Sequence, residues 1–352
     1  MNAPADRFDE AAFVQAVQRN CDIADARHAA DLTLCVYLLQ MREQYRWQQR
    51  LPLGAALPHA DVGAWLDRHE ALWDELADAA YQPLPLHGRW FDPFDADAVN
   101  AHLAGSGLHY GAGRLASGRP LFFVGELLRS GRREGVPVRV TGRELARGVA
   151  APPAAFDGGA ILLRRDALLR WLWGLHELWA ARPEAHAFGA ALALCGEVAP
   201  GPAVERLAEA QMEALLLHEL GEQRAGALLG PDWPALRLAT GRDRRIEPHL
   251  RALRDHLADC LVTLPALLRR GDAMALHLWF ATLEGPRQAM FPAAVAAYGA
   301  WRGGDGGAAL QAALAAGRAC WLRAAEEALQ CHRRLGDAVH ETLAASLAAL
   351  RC

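Results

Sequence analysis

The amino-acid sequence predicts a mainly α protein, a multi-helix bundle with a small strand-bearing α/β insert around residues 105–163. Two observations carry that class. Apolar residues recur at helical spacing through long stretches, among them 8–49, 204–229 and 246–268, and the first two are stopped by Pro52 with Gly54 and by Gly230-Pro231. By contrast, 121–128, 136–140 and 160–163 are short apolar runs with turn residues around them, as strands are. The expected division is residues 1–157, a helical region plus the insert, and 158–352, a helical domain.

In chain order, 8–49 reads as one helical pattern with Cys21, His28, Cys35 and Arg42 on one stripe at intervals of seven. Seven residues is roughly 10 Å of helix rise, too far for neighbours on that stripe to share an ion. Asp25 and Asp31, three positions either side of His28, are within reach of its ring, and Asp-x-x-His resembles the carboxylate-x-x-His step of di-metal bundles. The competing reading is a core histidine fixed by one aspartate. Residues 61–80 form a second helix capped by Asp61, with His69 and Glu70 on its surface. Gly111 to Ala116 matches G-x-G-x-x-A but follows no clear strand, so turn glycines explain it better than a dinucleotide site. Arg129, Arg132, Arg133, Arg139, Arg143 and Arg147 cluster in the insert, as a clamp for a phosphate or carboxylate or as a solvated surface. Helices follow at 164–181, rich in tryptophan with His176 at the edge of its buried stripe, and at 188–198. In 246–268, His256 lies at the edge of the apolar stripe and Asp259 further round, toward the polar side. Asp337 and His340 repeat the carboxylate-histidine step near the C-terminus.

Val204 to Leu229 is where helix pattern and acid/base chemistry coincide. At about 100° per residue, Glu205, Glu209 and Glu213 form one stripe and His218 lies almost opposite, with Glu222 one turn on. Three acidic groups in a row face water, which turns His218 and Glu222 inward, where they must pair, bond other groups or hold a cation. Glu219 is rotated off that face and is assigned a catalytic rather than a ligand role. A His–Glu hydrogen bond that satisfies two core groups is the alternative.

Composition sets exclusions. The chain of 352 residues carries 37 Lys+Arg against 41 Asp+Glu, a net charge of -4, so no overall field favours nucleic acid. All of those cations are arginine, which rules out a P-loop lysine, a pyridoxal-phosphate Schiff base and a Ser-Lys dyad. No apolar leader or membrane span is evident, and the 7 cysteines form no C-x-x-C pair, so a cytoplasmic location with reduced thiols is expected.

Five runs, 21–28 (Cys21 to His28), 41–43 (Met41 to Glu43), 118–123 (Gly118 to Phe123), 142–147 (Gly142 to Arg147) and 218–222 (His218 to Glu222), together resemble a bacterial protein family of unknown function over nearly the whole chain. The resemblance implies no activity. The residues themselves point to a helical metal-binding protein, an oxidoreductase or hydrolase, with His218, Glu222, His28 and Asp25 as ligands, Glu219 as catalytic group and a divalent Fe, Mn or Zn. Its partner is a small-molecule substrate. The alternatives are a non-catalytic helical accessory protein and an arginine-lined binder of an anionic metabolite.

Overall fold

The computed structural model describes residues 8–28, 33–115, 118–157, 159–183, 186–241, 243–336 and 339–352. The chain forms two compact units, residues 1–174 and 175–352. The expected division at 157/158 falls between two strands paired in one sheet.

In the N-terminal unit, α1 (Glu10–His28), α2 (Leu34–Gln48) and α3 (His59–Leu76) precede a small hairpin of β1 (Leu84–Leu86) and β2 (Arg89–Phe91), followed by α4 (Ala96–His102). Then come β3 (Leu108–Arg114), β4 (Pro120–Arg133), β5 (Val136–Arg147), β6 (Ala154–Asp157), β7 (Ala160–Arg164) and α5 (Arg165–Ala181), whose C-terminal part lies past residue 174. The protein is mainly helical, as expected, but the sheet is a substantial part of this unit rather than a small insert: five strands in the order β3-β4-β5-β7-β6, antiparallel except where β5 meets β7. Strand β4 runs on through Arg129, Ser130, Gly131, Arg132 and Arg133, a polar stretch with no alternating signal. Glu134 and Gly135, both at positive φ (50° and 82°), turn it into β5, the backbone that tight hairpins favour.

Gly111 and Gly113 lie inside β3, not in a turn. Gly111 faces Phe123 of β4, and a Cβ there would sit 2.0 Å from the Phe123 ring. The glycine makes room for an aromatic ring laid across it. The outer edge of β3 is closed by one side chain: Asn100 Nδ2 donates to the Tyr110 carbonyl (2.8 Å) and Asn100 Oδ1 accepts from the Tyr110 N–H (2.9 Å). Such a cap removes strand-pairing groups from a sheet edge.

Phe13, Val17, Cys21 and Ala24 form a helical stripe on α1, packed in one core with Tyr110, Phe122, Val124 and Ala146 of the sheet. The expected single helix over 8–49 is two helices, and Thr33, in extended backbone, stands before the second. The stripe of Cys21, His28, Cys35 and Arg42 is thereby divided, and Asp31 lies outside the described residues. His69, expected on the surface, is buried between Trp65 (stacked, ring centroids 4.6 Å apart) and Trp73 (4.8 Å) one turn either side. Burial lowers its imidazolium pKa to about 4.

The second unit is helical: α6 (Ala187–Ala193), α7 (Pro200–Leu229), α8 (Asp232–Thr240), α9 (Glu247–Ala258), α10 (Leu264–Arg270), α11 (Ala273–Ala281), α12 (Gly285–Met290), α13 (Pro292–Arg302), α14 (Ala308–Leu335) and α15 (Val339–Ala349). A widened π-helical turn, Asp259–Thr263, joins α9 to α10. Pro265 follows it at the start of α10. Proline has no N–H for the carbonyl four residues back and its ring crowds that carbonyl, so the helix absorbs it by opening one turn. Among the described residues no helix is long and apolar enough to cross a membrane. Cys320 of α14 and Cys352 form a disulfide, with Cα atoms 6.0 Å apart, so the expectation of wholly reduced thiols does not hold. The pair lies 32 residues apart in no motif, which is why spacing gave no sign of it.

Candidate metal centre

The centre is built where α7 crosses α9. Gly221 sits at the crossing: a Cβ there would lie 2.6 Å from the carbonyl oxygen of Ala258, and its next two neighbours are also Ala258 backbone atoms. A bare backbone at 221 therefore lets the helices approach closely. On α7, His218 and Glu222 flank Gly221 one turn apart; on the facing chain, Asp255 and Asp259 flank Ala258 at the same spacing. Two i, i+4 pairs thus meet across one contact.

Asp259 is fully buried and has three donors. His218 Nδ1 donates to Oδ1 at 2.8 Å, while Trp279 Nε1 (2.9 Å) and Arg287 Nη2 (2.7 Å) donate to Oδ2. Burial opposes its charge, but His218 and Arg287 outweigh burial and hold its pKa below the usual carboxylate range. As an ionised carboxylate it only accepts, so Nδ1 of His218 keeps a proton and Nε2 faces outward. That nitrogen lies 3.5 Å from Glu222 Oε1. Donor atoms of His218, Glu222 and Asp255 all fall within 4.8 Å of one another, and among the described residues this is the group arranged to share an ion. The three side chains are half-buried, at 21%, 18% and 13% exposure.

Electrostatics at the centre are tight. Burial alone would push His218 down, yet the Asp259 charge and the hydrogen bonds to Asp259 and Glu222 hold it well above its ordinary range. Burial raises Asp255, whose Oδ1 is buried without a hydrogen-bond partner. Burial, then the neighbouring Glu222 charge, raises Glu219 to about 7. Glu222 is held low by His218 and Arg254 against the effect of burial. Arg254 hydrogen-bonds Glu222 Oε1 through Nη2, which lies 3.6 Å from Asp255 Oδ1.

The expected residues are thus distributed as follows. His218 and Glu222 come together, and Glu219 lies buried beside them on α7. Asp25 is engaged elsewhere: inside the N-terminal unit, Arg119 hydrogen-bonds its Oδ1 and the Val149 N–H its Oδ2 (2.8 Å). Both oxygens face donors already, so Asp25 is ill suited to a metal. His28 ends α1, half-buried, and is not in the group that could share an ion. His256 does not reach His218 directly; its Nε2 donates to the Arg287 carbonyl (2.8 Å) and its ring stacks on Trp321. Burial, then Arg287, lowers it to about 3. Asp337 lies outside the described residues, and His340 bonds Asp243 instead (3.1 Å). In the insert, Arg143 pairs with Glu126, while Arg147 and Arg164 are buried against Glu144. Their guanidinium groups are used within the sheet.

Asp255 and Asp259 are the residues that pattern reading missed. Three signals were present: their i, i+4 spacing matches that of His218 and Glu222, Gly221 marks a close approach, and Pro265 marks an irregular turn.

Fold and site together define a two-unit protein with a sheet-bearing N-terminal half and a helical C-terminal half that carries a histidine–carboxylate cluster. The chain belongs to a family of unknown function, DUF6866: residues 12–164 match its N-terminal domain and residues 169–349 its C-terminal domain. No curated protein and no solved structure matches the chain.

Proposed function

We propose that the C-terminal unit binds a divalent metal through His218 Nε2, Glu222 and Asp255, and that the protein is a metal-dependent enzyme of the hydrolytic class. The observation that carries the reading is the Asp259–His218 hydrogen bond at 2.8 Å, which aims Nε2 at two carboxylates within 4.8 Å. A carboxylate behind a ligand histidine is the usual arrangement in metal sites, because it fixes tautomer and ring orientation. One imidazole and two carboxylates suit Fe, Mn or Zn. Three protein donors leave positions for water, as catalytic rather than closed structural centres do. Glu219, buried on α7 next to His218, is the carboxyl placed to act as acid or base there.

A second reading is favoured by Arg254, which already neutralises Glu222: the cluster as an ion-pair network that fixes the α7–α9 crossing. Metal content of the purified protein and Mn2+ or Zn2+ titration of wild type and His218→Ala separate the two. One bound ion in the wild type, lost in the variant, supports the metal centre. Negligible binding in both leaves the ion-pair network.

A further inference from the structure

Arg254 occupies the space in which a metal would act. Its Nη2 hydrogen-bonds Glu222 Oε1 and lies 3.6 Å from Asp255 Oδ1, so the two carboxylates assigned to the metal are shared by one guanidinium. An ion that takes those oxygens must displace it. The displaced group is not free to be left unmatched, because Arg254 Nε is buried and has no hydrogen-bond partner even with Glu222 in place. A guanidinium deprived of its carboxylates at a half-buried position needs another acceptor. Of the neighbouring carboxylates, Glu247 is already shared by Arg237 at 3.8 Å and Arg251 at 3.3 Å.

We infer that Arg254 is the resident counter-cation of this centre, that a divalent metal displaces it from Glu222 and Asp255, and that it then binds an anionic oxygen of a carboxylate- or phosphate-bearing ligand beside the metal. The inference rests on the metal reading above and adds the ligand class to it. The planar guanidinium suits that role, since it donates two parallel hydrogen bonds to a carboxylate or phosphate. Metal and anion then bind cooperatively: each removes what opposes the other.

The test is Mn2+ binding to the full chain, stripped of metal, by isothermal titration with and without millimolar inorganic phosphate. Wild type, Arg254→Gln and Arg254→Lys are compared, with circular dichroism melts to verify folding. Without phosphate, Arg254→Gln binds Mn2+ about tenfold more tightly than wild type, because the competing cation is gone, while Arg254→Lys stays near wild type. Phosphate tightens Mn2+ binding to wild type about tenfold and leaves Arg254→Gln unchanged. Equal affinity of wild type and Arg254→Gln without phosphate, or an equal phosphate effect on both, overturns the role of Arg254 while the metal centre stands. Absence of Mn2+ binding in every variant, with and without phosphate, removes both together.

Discussion

Gly221→Ala puts the closest test on the helix crossing. The new Cβ would lie 2.6 Å from the Ala258 carbonyl oxygen, and the nearest atoms are backbone, so no side chain can swing aside. Restoring an ordinary contact needs a separation of about 0.7 Å between α7 and α9, with carbon contacts relaxed toward ~3.5 Å. The same displacement stretches the His218–Asp259 hydrogen bond from 2.8 Å to roughly 3.5 Å, past useful length. Overpacking costs about 1–3 kcal/mol, and loss of a hydrogen bond to a charged group about 1.5–3 kcal/mol. The better helix propensity of alanine returns ~1 kcal/mol. A net loss of about 2–4 kcal/mol is expected. Gly226→Ala is the control on the same helix: nothing lies within 4 Å of its Cβ, and it is exposed. It gains propensity alone and stabilises by about 0.5–1 kcal/mol. Urea unfolding followed by tryptophan fluorescence reads both variants. If Gly221→Ala proves as stable as Gly226→Ala, the close crossing does not exist and the geometry of the centre falls with it.

Asp259→Asn keeps the size of the side chain but removes the charge that His218 and Arg287 share; it lowers stability by roughly 3–5 kcal/mol and weakens Mn2+ binding at least tenfold, both read on the same samples. Asp22 of α1 is raised to about 7, chiefly by burial, while it accepts from Gln18 Nε2 at 2.8 Å. A carboxyl whose folded pKa lies above its unfolded value contributes stability that is complete below pH ~4 and is lost as pH rises through 7, by about 1.4 kcal/mol per pH unit in that window. Asp22→Asn therefore flattens the stability profile between pH 4 and 7 relative to wild type, and parallel profiles would refute the assignment. His256 has the opposite sign. Lowered to about 3, it contributes stability that is complete above its unfolded pKa of ~6.5 and is lost as pH falls toward 3, so His256→Phe removes an acid-side loss that chemical denaturation at pH 5 and 7 detects. The Cys320–Cys352 disulfide closes a loop of 32 residues, worth about 3.5 kcal/mol by chain entropy, and Cys320→Ser loses that amount under non-reducing conditions only.

Much of the helical unit was legible because amphipathic periodicity survives in sequence. Glu205 and Glu209 face water as their stripe predicted, and His218 with Glu222 turns toward a neighbouring helix. Two kinds of structure escaped. Strand β4 runs through Arg129 to Arg133, whose side chains project from a hairpin ribbon and show no buried face, so hydropathy stopped at residue 128. The break before Leu34, where Thr33 takes extended backbone, has no proline or glycine near it to announce it.

Asp259 shows why half of the centre stayed hidden. On a regular helix its direction is toward the polar side, and a carboxylate so placed reads as solvated. Pro265 widens only the turn that follows, Asp259–Thr263, because a carbonyl before it loses its donor. Asp259 itself keeps helical backbone, its N–H bonded to the Asp255 carbonyl, so its direction still follows from α9; what the pattern lacks is the set of helices packed around it. The carboxylate enters the core, where burial would forbid its charge were His218, Arg287 and Trp279 not aimed at it from three other helices. Those donors lie 41, 28 and 20 residues away. Three donors distant in sequence thus turn a residue that reads as solvated into the group that orients His218, and the close approach at Gly221 supplies the remaining condition.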